Sequence, residues 1–318
     1  MNMAGFLSEI TSTRTLGRCV RPTSLLRTIP STPLAFRYYS STPLETVPLA
    51  FHHVPAEGAD VKKDQSLVIC HGLFGSKQNW RTLSKALAQK LRMQVFVLDL
   101  RNHGTSPHKA PNDYEHMAAD VSRFLKDQGL NSGVNLLGHS MGGKVVMSVA
   151  LNKEYNSPLR TLISADMAAA RGKISKEFIE YAYAMQRIEE AGVKSKSAAD
   201  KLLAEVEPEL SIRQFLLTNS FIDPETKTLK FRIPLDILST SIPAIGHFPY
   251  APGEATWEGP ALFVKGAKAR YITERNEPIT RGFFPNMRLE TFDTGHWVHA
   301  EKPEQFIGLV KEFVEAQK

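Results

Sequence analysis

The most constraining stretch of this chain is Gly138-His139-Ser140-Met141-Gly142, a serine with a glycine two positions away on either side. Before it, Val134-Asn135-Leu136-Leu137 reads as a short buried strand; after it, Gly143 to Ala150 reads as a helix. A strand that turns at once into a helix has room only for small residues at the turn. Such a turn lifts the side chain at its tip clear of the backbone. A serine held there is placed as a nucleophile.

From about residue 47 the rest of the chain alternates strands and helices in the same way. Strands are expected at Leu49–Val54, Ser66–Cys70, Met93–Leu98, Leu159–Ala165, Ala261–Lys265 and Met287–Phe292. Helices are expected after a Ser76 cap, where Trp80, Leu83, Leu87 and Leu91 recur, and over Tyr114–Gln128 and Pro303–Gln317. This is the pattern of an α/β layer fold with a mainly parallel sheet. Residues of about 172–258 break it, with helical patterns at Glu177–Gly192, Ala198–Val206 and Ile212–Leu217 and then a proline-dotted stretch. That segment reads as a helical lid inserted into the sheet domain, which covers residues 45–318.

A serine hydroxyl needs a base. His296, in Gly295-His296-Trp297, follows the last expected strand and so falls at the sheet edge that carries the serine. His139 adjoins the serine but points away from it in such a turn, and His71 and His103 suit the ordering of loops. The third member, a carboxylate, is absent from the loop before the histidine strand, Gly266-Ala267-Lys268-Ala269-Arg270-Tyr271. Asp166, ending the strand after the serine strand, is the preferred acid; Asp236, in the inserted segment, is its competitor. Asp99 and Asp293 read as structural. The oxyanion donors expected are the backbone N–H groups of Met141 and Leu73, with Phe74 as the alternate to Leu73.

Composition is that of an ordinary globular protein, 42% hydrophobic and 23% charged. Of the net charge of +6, residues 1–44 supply five arginines (Arg14, Arg18, Arg21, Arg27, Arg37) against Glu9 alone. The remainder is therefore nearly neutral, which gives no reason to expect a nucleic-acid partner. The same residues are rich in Ser and Thr and lack Lys, the composition of a disordered mitochondrial transit peptide, with processing expected near Tyr39–Ser40 and residence in the matrix. No apolar run nears the roughly 18 residues of a membrane span. Cys19 lies in the leader, so Cys70 alone remains in the mature chain and reads as a core residue. No metal-ligand spacing or nucleotide-binding loop is present, so no metal and no cofactor are expected.

Five motifs together resemble the α/β-hydrolase superfamily, in particular the subgroup of abhydrolase domain-containing protein 11. They are His71 to Lys77, Asp99 to Gly104 with Ser106-Pro107-His108, Gly138 to Lys144, Arg213 to Asn219, and Gly295 to Ala300. The subgroup is similar to small bacterial esterases whose acid follows the neighbour of the nucleophile strand, which favours Asp166. The resemblance implies a mitochondrial serine hydrolase that acts on carboxylic esters or thioesters. It also takes in the yeast ethanol acetyltransferases, so transfer of acetyl from acetyl-CoA to ethanol is the alternative expectation. A non-catalytic matrix partner protein is a further one.

Overall fold

The computed structural model describes residues 44–58, 60–172, 174 and 176–317. The expected leader, its processing site and Cys19 lie outside them. Within them the first strand, β1 (Phe51–Val54), is followed by β2 (Ser66–Cys70), α1 (Arg81–Leu91), β3 (Gln94–Leu98), α2 (Tyr114–Asp127), β4 (Val134–His139), α3 (Met141–Leu151) and β5 (Leu159–Ala165). These strands join β8 (Ala261–Gly266) and β9 (Met287–Phe292) in one sheet of order β1-β3-β2-β4-β5-β8-β9. All neighbours are parallel except β1 with β3.

The central strands are apolar on both faces because both faces are covered. The chain closes with a single-turn helix, α9 (Val298–Glu301), and the longer α10 (Pro303–Ala316). Leu67, Ile69, Val95, Val97, Leu137 and Ile163 pack with α1 and α10 through Leu87, Leu91, Phe306 and Val310. Their alternates Val68, Phe96, Leu136 and Leu162 face the other way, onto α2 and α3 through Met117, Val121, Val145 and Val149. Period-2 alternation of side chains across a strand produces this division.

Between β5 and β8 the chain leaves the sheet as α4 (Lys176–Glu190), α5 (Lys196–Leu203), α6 (Leu210–Leu217), a hairpin of β6 (Ser220–Ile222) and β7 (Leu229–Phe231), and α7 (Leu235–Ile245). The proline-dotted stretch thus contains a helix that its prolines obscured. Pro243 lies inside α7, close to its end, where little of the helix remains to be disrupted. A second unforeseen helix, α8 (Glu277–Phe283), has its proline in the first turn, where no intrahelical N–H is needed.

Lys144 of α3 ties α7 to the sheet domain. Its buried ammonium donates to the carbonyls of Ile245, Gly246 and His247 at 3.4, 3.1 and 2.8 Å, and Tyr114 Oη donates to Ile245 O at 2.6 Å. A cation on the last carbonyls of a helix also meets the negative end of its dipole. Burial pushes the Lys144 amine down to about 8.

Candidate active site

The serine turn has the geometry expected of a strained elbow. Ser140 stands between β4 and α3 at φ 53°, ψ −119°, a region that costs a non-glycine residue about 1–3 kcal/mol. The cost is met by packing on every side. A Cβ on Gly138 would strike the carbonyl of Gly142, and one on Gly142 would strike the carbonyls of Cys70 and His71. The Ser140 N–H donates to Ala165 O at 3.1 Å, which fastens the elbow to the end of β5.

That same strand end carries Asp166, also at positive φ (52°) and fully buried. Its Oδ1 accepts from the Gly266 N–H at 2.9 Å, and its Oδ2 lies 2.7 Å from His296 Nδ1. With Nδ1–H donating to the carboxylate, the lone pair of the imidazole sits on Nε2. Nε2 is buried and has no hydrogen-bond partner among the described residues, Ser140 Oγ included. The competitor, Asp236, is exposed on the first turn of α7. Asp99 accepts from the Lys77 and Thr105 N–H groups at 2.7 and 2.8 Å and pairs with the Lys77 ammonium, while Asp293 pairs with Lys268 at the surface.

Burial pushes the Asp166 carboxyl up, to about 7, and the His296 imidazole down, to about 3. Both shifts have one cause: removal of water disfavours the charged form of either group. A histidine held neutral is a free base at neutral pH, with its proton on the nitrogen that faces the carboxylate.

His139 does not simply point away from the serine. Its Nε2 donates to the backbone carbonyl of His296 at 3.0 Å, and its ring lies 4.7 Å from the His296 ring. The residue beside the serine is thereby bonded to the backbone of His296. Tyr271 is a site residue that no motif announces: its ring stacks on His296 with centroids 3.9 Å apart and planes 24° apart. The one available signal is that the loop after β8, empty of carboxylates, ends in an aromatic residue.

The loop after β2 closes the site from the other side. A Cβ on Gly72 would lie 3.1 Å from His139 Nδ1 and 3.2 Å from Ser140 Cβ, so only glycine lets this backbone approach the elbow without displacing it. The N–H groups of Leu73 and Met141 have no acceptor among the described residues. The Phe74 N–H is already engaged, donating to His103 Nε2 at 3.2 Å. His103 and His71 order loops through fixed tautomers. Each bonds a carbonyl with Nδ1 (Arg101 at 2.9 Å, Gly72 at 2.8 Å) and accepts a backbone N–H at Nε2. Burial lowers both, His103 to about 3, and so keeps both rings neutral. Among the described residues no group of three or more His, Cys, Asp or Glu is arranged to hold a metal ion.

A family model for the alpha/beta hydrolase fold matches residues 65–303. The chain belongs to the α/β-hydrolase family. It is 40% identical to an sn-1-specific diacylglycerol lipase, ABHD11, of Xenopus laevis, over 79% of this chain and 80% of that protein. It is 35% identical to a probable alcohol acetyltransferase of Saccharomyces cerevisiae, over 81% of this chain and 79% of that one. Among solved structures, a marine microorganism esterase superposes with a TM-score of 0.74 at 32% identity, over 84% of this chain and all of that one. As an α/β hydrolase, the chain carries the Ser140 turn, Asp166 and the His296 loop at the carboxyl ends of β4, β5 and β9, the edge where this fold assembles its sites. No helix among the described residues is long and apolar enough to cross a membrane.

Proposed function

We propose that this α/β hydrolase cleaves carboxylic esters or thioesters through an acyl-enzyme on Ser140. The observation that carries the reading is the buried Asp166–His296 pair, which leaves the imidazole Nε2 unpartnered and is bonded through the His296 carbonyl to His139, the neighbour of the strained Ser140. His296 takes the Ser140 hydroxyl proton on Nε2 as Oγ attacks the substrate carbonyl. Asp166 stabilises the imidazolium through Nδ1, and the negative oxygen is met by the N–H groups of Leu73 and Met141. The proton then passes to the departing alcohol or thiol, and the ester bond breaks. In the second half, water gives its proton to His296 as it adds to the acyl carbon; the acyl–Oγ bond then breaks, His296 returns the proton to Ser140 Oγ, and the carboxylic acid leaves.

Aromatic side chains of the inserted segment reach the site: Phe178 meets Phe74 and Phe215 meets Trp297 at centroid distances of 6.3 and 6.4 Å. An apolar lining suits an apolar acyl group, in keeping with a relative named as a diacylglycerol lipase. The test is turnover of an ester and thioester panel of increasing acyl length. Steady release of free acid is expected from the wild type, and none above background from Ser140→Ala.

The kinship with a probable alcohol acetyltransferase favours one second reading, in which an alcohol replaces water as the acceptor. With acetyl-CoA and ethanol supplied, the ratio of ethyl acetate to acetate separates the two. We further propose residence in the mitochondrial matrix, on the composition of residues 1–44. The amino terminus of the protein purified from mitochondria is expected near Ser40, and an intact Met1 would contradict this.

A further inference from the structure

The loop that offers the Leu73 N–H is held in an unfavourable shape by groups outside itself. The Gly75 N–H closes a turn onto Gly72 O at 2.9 Å, and Phe74, at its third position, has φ 60°. Glycine is the usual residue there, and a phenylalanine is strained. Two hydrogen bonds hold Phe74 in place. Its N–H donates to His103 Nε2 at 3.2 Å, and its carbonyl accepts from Asn219 Nδ2 at 2.7 Å. The first partner belongs to the sheet domain. The second comes from 145 residues away, in the inserted segment between α6 and β6.

Asn219 is buried and closely fixed. Its backbone N–H donates to Leu216 O at 3.2 Å, and its backbone carbonyl accepts from the Arg232 N–H at 2.9 Å. The carbonyls of Phe74 and Leu216 both face its amide, so the nitrogen and not the oxygen points into the loop. Arg213, at the other end of the same motif, anchors α6 to Asp200 at 2.8 Å and to the carbonyls of Glu207 and Pro208 at 3.0 and 2.7 Å.

We propose that Asn219 is a positioning residue for the oxyanion loop. Its bond to Phe74 holds the strained turn that aims the Leu73 N–H, so the hole is complete only while the inserted segment is seated. This rests on the serine-hydrolase reading above. The Asn219 amide touches no reacting atom and acts through Phe74 alone. The motif from Arg213 to Asn219 thereby links the two parts of the molecule, since one end fixes α6 and the other sets the loop.

The test compares wild type with Asn219→Ala, Asn219→Asp and, as a neighbour outside the machinery, Arg232→Ala. It measures kcat and KM for a soluble ester and the affinity of an alkyl boronic acid, which forms a tetrahedral adduct on a serine. Loss of an entire oxyanion donor costs about 10²–10³ in rate, so loosening one should cost about ten-fold or more. Asn219→Ala is expected to lower kcat and boronate affinity by that factor and to leave KM within about two-fold, with Arg232→Ala unchanged.

Asn219→Asp preserves shape. As a neutral acid it can still donate to Phe74 O, whereas as a carboxylate it repels that carbonyl. Its activity should therefore match wild type near pH 5 and fall behind it about ten-fold by pH 8. His103 and His71, neutral through burial, and Asp99, ionised by its hydrogen bonds and the adjoining Lys77, keep their charge over that range. Unchanged boronate affinity in both Asn219 variants overturns the inference, as does a loss confined to KM. Wild-type protein that neither turns over esters nor binds the boronate overturns the hydrolase reading as well. An active wild type with indifferent Asn219 variants overturns this inference alone.

Discussion

Asp166 is where residue chemistry and fold stability pull in opposite directions. Its carboxyl is raised by burial to about 7, against about 4 in an unfolded chain. A folded value above the unfolded one means that its contribution to stability is full below about pH 4 and is lost as pH rises through about 7. Asp166→Asn keeps an acceptor for the Gly266 N–H and a residue that tolerates positive φ, so the fold should survive. Its melting temperature should gain on wild type as pH rises from about 4 to about 7. Turnover should fall by about 10⁴-fold, because the imidazole loses the partner that fixes its tautomer. A calorimetric pH series and steady-state rates check both halves. A proton taken up by the Asp166–His296 pair, on either group, disables the base. Thus kcat/KM should rise with pH through one step at or below about 7, and a profile that falls between pH 5 and 7 would contradict the assignment. Ser140 and His296 could be picked out from residues alone because each sits in a short motif at a strand end. The roles of Tyr271 and Asn219 could not, since stacking on an imidazole and bonding to a carbonyl leave no local pattern in the sequence.

At the scale of elements, all seven strands of the large sheet were legible, the central ones because a strand buried on both faces is a run of apolar residues bounded by turn residues, whereas the short β6–β7 hairpin was not expected. Of the helices that escaped, α9 is a single turn, and α7 and α8 contain proline, which local preference counts against a helix. For α7 a specific tertiary contact opposes that preference. Lys144→Met removes the donor shared by the carbonyls of residues 245–247, so that Ile245 O keeps only the Tyr114 hydroxyl and Gly246 O only the Gly172 N–H. Hydrogen exchange over residues 235–247 is therefore expected to quicken at least about ten-fold, with β2, β4 and β5 unchanged. Equal protection of α7 in the variant and the wild type would show that the ammonium does not hold it.

Across the whole molecule, the loops at the carboxyl ends of the strands are braced by buried polar groups that no periodicity reveals. Arg101 donates to both oxygens of Asp120 at 2.5 and 2.8 Å and to the carbonyls of Pro111 and Glu45 at 2.8 and 3.2 Å, and Asp120 also accepts the Val47 N–H at 2.8 Å. Arg101→Met leaves that carboxylate buried and unpaired, and should lower stability by about 3–5 kcal/mol in a denaturant melt. The site depends on such bracing, because Phe74, Ser140 and Asp166 all stand at positive φ and none is glycine. The proposed chemistry stands or falls on whether this rigid edge activates one serine. That can be measured by reaction of the folded protein with a fluorophosphonate, followed by mass spectrometry of the peptides. Ser140 alone should carry the adduct, at a rate that falls steeply in His296→Ala; an unlabelled Ser140, or a rate indifferent to His296, would contradict it.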